Sequence, residues 1–184
     1  MKILFPWQKR PEFTDGVIDL IPLRVPAPEP GLRFGREQIW RISLHGHRRE
    51  IGQISYRDGE SLPVFYYGHI GYHIQPEWQG HHYARRACLL VREAIRRSGK
   101  TSVIITCDPD NEPSRMTCEH LGCLLESIVH VPDHLREQFD ISAVKCRYIW
   151  LTDRSTDPLP SPERPSEGKS EDDSNPDDSG SGCV

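Results

Sequence analysis

The chain has 184 residues, which suits one domain rather than two, and its formal charge of −4 singles out no polyanionic partner. No stretch approaches the roughly 18–20 consecutive apolar residues of a membrane span. The opening Met1-Lys2-Ile3-Leu4-Phe5-Pro6-Trp7 is too short an apolar run for a signal-peptide core, and Cys183 stands second from last rather than in a prenylation box, so a soluble cytoplasmic protein is expected.

In chain order, residues 17–23 read as a first strand, closed by Pro26, Pro28 and Pro30. Residues 39–44 alternate, break at His45-Gly46-His47 and resume over 51–56, the pattern of an antiparallel hairpin that Asp58-Gly59 ends. Residues 64–74, rich in Tyr, Phe and Ile, read as a long third strand stopping at Pro76. The period then changes. Ala84, Ala87, Cys88, Val91, Ala94 and Ile95 fall on one face of a helix, and Gly99 is a plausible stop. Arg85, Arg86, Arg92, Arg96 and Arg97 fill the other face, read as solvated rather than as a nucleic-acid stripe.

Residues 103–107 form a short buried-strand run, and Asn111 is placed to cap a helix with Pro113 in its first turn and Gly122 past its end. Residues 124–131 and 143–151 read as two further strands. From 152 to 184 there is no aromatic residue, and the large aliphatic ones are Leu159 and Val184. Nine acids against three bases leave this tail at −6 and the rest of the chain near +2. Such a segment buries too little apolar surface to offset the entropy of ordering, so residues 152–184 are expected to be a disordered acidic tail behind a domain over 1–151. Without a secretory signal the six cysteines read as reduced thiols. Cys118-x-His120 is not a usual zinc spacing, so no metal is expected.

The informative stretch is Gly71-Tyr72-His73-Ile74-Gln75-Pro76-Glu77-Trp78-Gln79-Gly80-His81-His82-Tyr83-Ala84, where a strand gives way to a helix through a glycine-containing loop. Free backbone N–H groups and the positive end of the helix dipole meet at such a turn and suit a phosphate.

Gln79-Gly80-His81-His82-Tyr83-Ala84 resembles the diphosphate-binding signature Gln/Arg-x-x-Gly-x-Gly/Ala of the GNAT N-acetyltransferase superfamily. It matches at Gln79 and Ala84, and His82 stands where the family has Gly. Downstream, Asn111 and Ser114 followed by Leu121-Gly122 resemble the Asn-x-x-Ser…Leu-Gly-Phe segment of GNAT enzymes close to the ribosomal-protein acetyltransferases. The resemblance spans roughly residues 39–151. It implies a mixed α/β (α+β) GNAT fold, a central, mostly antiparallel twisted sheet flanked by helices. The connection over 24–38, with its three prolines, is too short for the two helices most members place there, so the N-terminal helical region is expected to be shortened.

The resemblance also implies acetyl-CoA as co-substrate, bound by Ile74, Gln75, Gln79, Gly80, His81, His82, Tyr83 and Ala84 at the loop. Asn111 and Ser114 are expected to hold the pantetheine arm. An acceptor amine, on a small molecule or a protein, attacks the thioester directly, assisted by an oxyanion donor near Ile74. His73 or His69 is the candidate base. Many relatives carry a Tyr as acid to the leaving thiolate, and here Cys118 occupies that place; water is the alternative for both tasks. A catalytically silent acyl-CoA-binding domain is the alternative function. Neither nucleic acid nor membrane is expected as a partner, and the oligomeric state stays open.

Overall fold

The computed structural model describes residues 10–24 and 35–153. The expected disordered tail from residue 154 on and most of the connection over 24–38 therefore lie outside the described residues. Among the described residues, eight strands form one sheet in the order β1-β2-β3-β4-β5-β6-β8-β7. They are β1 (Phe13–Thr14), β2 (Ile18–Pro22), β3 (Glu37–Leu44), β4 (Glu50–Arg57), β5 (Ile70–Ile74), β6 (Ser102–Cys107), β7 (Leu124–His130) and β8 (Val144–Leu151). Four helices accompany them: α1 (Leu62–Tyr67), α2 (Tyr83–Arg97), α3 (Glu112–His120) and α4 (Asp133–Phe139). A 3₁₀ turn at Pro76–Trp78 links β5 to α2. One residue past β8, Thr152 is buried and its N–H donates to Thr101 O at 2.8 Å.

The hairpin forms as its alternation requires, with Trp40 opposite Ile54 in antiparallel register. Every pairing is antiparallel except β5 with β6. That parallel pair has a single register partner, Ile70 opposite Ile105, beyond which the two strands separate.

Partners across a ladder share a sheet face. Ile54 and Tyr72, Ile105 and Tyr148, and Val103 and Trp150 point to the side that α2 covers with Ala87, Cys88, Val91 and Ile95, and this is the main core. Burial at about 25 cal/mol per Å² makes this stripe of α2 the main adhesive between helix and sheet. Arg57, Gly71, Thr106 and Arg147 point to the opposite side, where α1 and α4 lie.

The expected strand over 64–74 is divided. Residues 62–67 coil into α1, and only 70–74 pair as β5. Ser61 Oγ accepts from Val64 N–H at 3.4 Å, Pro63 sits in the first turn, and Gly68 at φ 76° ends the helix. The cap and the stop override the strand propensity of Val64, Phe65, Tyr66 and Tyr67. Helix α4 and strand β1 were not expected. Leu135 is buried, and the Tyr67 hydroxyl donates to Phe139 O, fastening α4 to α1.

Candidate active site

Two cavities meet where β5 and β6 separate. The larger, about 630 Å³, lies on the α2 side between the first turns of α2 and α3. The smaller, about 270 Å³, lies on the α1 and α4 side. Tyr72, Asn111 and Ser114 line both.

The loop into α2 is shaped by two left-handed residues, Gly80 at φ 84° and His82 at φ 57°, ψ 19°. Histidine adopts this region more readily than most residues, and so His82 fits the left-handed turn ahead of α2. Its side chain caps nothing. Arg86 N–H donates to His82 O, the first helical bond, so the N–H groups of Tyr83, Ala84 and Arg85 have no acceptor within the helix. They converge with the helix dipole at the cavity, an arrangement that favours an anion. The rings of His82 and His120 stand 5.8 Å apart edge to face at the same mouth.

At the end of β5, Gln75 N–H donates to Ile51 O at 2.9 Å. By antiparallel alternation the backbone of Ile74 then turns away from β4, toward the opening. Its carbonyl accepts from Gln79 Nε2 at 3.0 Å. Gln79 therefore spends its amide on bracing the loop. Gly52 faces Ile74, and a Cβ there would run into His73 O, so only glycine lets β5 approach β4 at this point.

Asn111 Oδ1 accepts from Ser114 N–H at 3.1 Å and caps α3. The Ser114 and Tyr72 hydroxyls are 2.8 Å apart. Burial above all pushes the Tyr72 phenol well up from its ordinary value, so it keeps its proton throughout the physiological range.

Of the residues singled out from sequence, His73, Ile74, Gln79, Gly80, His82, Tyr83, Ala84, Asn111 and Ser114 line the larger cavity. Gln75, His81 and Cys118 do not. Gln75 is engaged with Ile51, and the His81 ring lies against Tyr83. Cys118 is fully buried in the core. The neighbouring Cys107 thiol pulls the Cys118 thiol down, but contact with Cys123 and burial outweigh it and push it well up. A proton donor must reach the leaving group, and this thiol is shut away from both cavities.

His69 is likewise occupied. It is buried, its Nε2 faces Glu60 at 3.1 Å, and its Nδ1 accepts from Ile104 N–H at 3.1 Å. Arg86, expected on the solvated face, is instead buried in an ion pair with Asp15 at 2.8 Å. Arg85 donates to His120 O. Tyr72, Trp78, Met116 and His120 also line the larger cavity, a role the sequence did not assign to them. Period two along β5 puts Tyr72 on the face of Ile70 and Ile74, a signal that the undivided strand obscured. Among the described residues no group of three His, Cys, Asp or Glu side chains is placed to hold a metal, and no helix is long and apolar enough to cross a membrane.

A family model of the acetyltransferase (GNAT) domain matches residues 1–124, two thirds of the chain. The chain belongs to the GNAT acetyltransferase family. Three solved structures are similar to it. Ribosomal-protein-S5-alanine acetyltransferase from Vibrio fischeri is 20% identical, with 64% of this chain and 62% of that one covered and a TM-score of 0.50. A candidate acetyltransferase is 18% identical over 81% of this chain and 89% of its own, with a TM-score of 0.53. Microcin C7 self-immunity acetyltransferase, in complex with acetyl-CoA and AMP, is 21% identical over 62% and 61%, with a TM-score of 0.49. The chain thus spans about three fifths of the length of the first and third of these. No curated protein matches the sequence.

Proposed function

We propose that this GNAT domain is an acyl-CoA-dependent N-acetyltransferase, moving acetyl from acetyl-CoA to an amine by direct attack with both substrates bound. The observation that carries the reading is the opening between β5 and β6, with an elongated cavity running from it to the unbonded first turn of α2. The diphosphate lies against the N–H groups of residues 83–85 and the loop of Gly80 and His82. The pantetheine arm passes Asn111 and Ser114, and the acetyl group ends at Ile74.

The neutral amine attacks the thioester carbonyl, forming the C–N bond as the C–S bond breaks. Ile74 N–H, turned toward the opening, stabilises the oxyanion. The amine loses a proton to His73, which lines the larger cavity beside Ile74. The leaving thiolate takes the proton of the Tyr72 hydroxyl. Tyr72 thus does from β5 what position 118 does not do from α3.

Two measurements test the reading. Calorimetric titration with acetyl-CoA is expected to give saturable binding, and an amine panel is expected to release thiol. Binding without thiol release on any amine supports the silent-domain alternative, and no binding at millimolar acetyl-CoA overturns the cofactor assignment.

A further inference from the structure

Five of the six cysteines meet in one part of the core, where the end of α3 packs on α2 and the sheet. Cys107 of β6 stands opposite Cys146 of β8 in register. Cys118 of α3 faces Cys88 of α2, and its sulfur is in hydrogen-bonding contact with the Cys107 and Cys123 thiols. Four of the five are buried, and Cys123 is half-buried. We propose that Cys118 and Cys123 form a peroxide-reactive dithiol, a modification site that closes into a disulfide across the end of α3.

The way α3 stops makes the pair. Cys123 N–H donates to Cys118 O at 3.0 Å, Gly122 N–H donates to Glu119 O at 2.9 Å, and Gly122 is left-handed at φ 73°. A helix closed by these two bonds brings the side chain just past the glycine onto the one at the start of the last turn. Two apolar residues ordinarily fill that contact, and here both are thiols. Their backbones, already bonded, need little movement to reach the separation that a disulfide spans.

Access sets the order of events. Peroxide from solvent meets Cys123 first, because Cys118 is fully buried and Cys107 is only 5% exposed. The Cys123 thiolate attacks one peroxide oxygen: an S–O bond forms, the O–O bond breaks, and the departing hydroxide takes up a proton as water. The product is a sulfenic acid. Cys118 Sγ then attacks Cys123 Sγ: the S–S bond forms, the S–O bond breaks, and the hydroxyl leaves with the Cys118 proton as a second water. The two sulfurs give up two electrons in all, and the peroxide is reduced by them.

The test treats the full-length protein with hydrogen peroxide under native conditions and then counts free thiols in denaturant. The protein is expected to lose two of its six thiols, a loss that a dithiol reductant restores. Proteolysis after Glu119 separates the two cysteines, so without reduction the fragments carrying Cys118 and Cys123 are expected to stay joined. Cys123→Ser is expected to lose no thiol at the same dose. Cys118→Ala is expected to stop at the sulfenic acid, which dimedone then tags at Cys123. The joined wild-type fragments decide the matter even where Cys118→Ala loosens the core. A native protein that keeps all six thiols while the urea-unfolded chain loses them overturns the proposal. So does a bond that joins Cys107 to Cys118, or either proposed partner to Cys183.

Discussion

The Tyr72 and Ser114 hydroxyls, 2.8 Å apart, tie strand β5 to the first turn of α3 across the border between the two cavities. Replacing Tyr72 by Phe removes the bond and the proton while keeping the ring. The expected cost in stability is about 1 kcal/mol. Turnover is expected to fall on the order of 10²-fold with acetyl-CoA affinity retained. Unchanged kcat in steady-state assays would assign proton delivery to water.

His82 tests the loop. A left-handed residue other than glycine costs about 1–2 kcal/mol, so His82→Gly is expected to raise the urea midpoint and His82→Val to lower it. If acetyl-CoA binds His82→Gly more tightly as well, the imidazole hinders the diphosphate. Weaker binding to that variant makes the imidazole a ligand.

Asp15 and Arg86 form an ion pair whose side chains are 0% and 6% exposed. Asp15 also accepts from the N–H groups of Val17 and Ile18, each at 2.9 Å. Asp15→Ala removes the buried carboxylate paired with Arg86 and is expected to cost about 3–5 kcal/mol in denaturant unfolding.

His69 makes stability depend on pH. Burial holds its imidazole below the ordinary value, and the bond to Glu60 only partly restores it. The unfolded chain then binds the proton more readily than the folded one. Stability is full above the unfolded value of about 6.5 and is lost as pH falls from there through the folded value. Urea unfolding between pH 7.5 and 5 is expected to show this slope, and His69→Gln is expected to flatten it. An unaltered slope in the variant places the titration elsewhere.

The thiols rank themselves by burial. Cys88, Cys107, Cys118 and Cys146 are buried, and Cys123 is only half-buried. Burial raises Cys88 and Cys146, and contact with Cys118 raises Cys107 further. Among these five, iodoacetamide is expected to label Cys123 first under native conditions, read by peptide mapping. Early labelling of Cys118 would contradict its placement in the core.

The legible parts were those carried by local pattern. The apolar stripe from Ala84 to Ile95 announced α2, and Asn111 with Pro113 and Gly122 announced α3, so the larger cavity could be outlined before the fold was known. The smaller cavity could not. Its wall draws on Tyr67 at the end of α1 and Ile141 just beyond α4, two helices of six and seven residues. Such short helices show too little periodicity to stand out, and the aromatic residues of α1 mimic a strand. Arg86 was misplaced because its partner Asp15 lies 71 positions away. Cys118 was assigned by position in a motif, and motif position says nothing about which way a side chain faces.

Along the sheet, β1–β5 meet β6–β8 through one register pair, Ile70 with Ile105, and the bonds of His69 with Ile104 beside it. Mechanically the molecule is two plates stitched by a single short seam, with backbone groups beyond the stitch left facing each other across a gap. A ligand seated there takes over the bridging that a longer ladder provides elsewhere. Filling the site and completing the sheet are then one event.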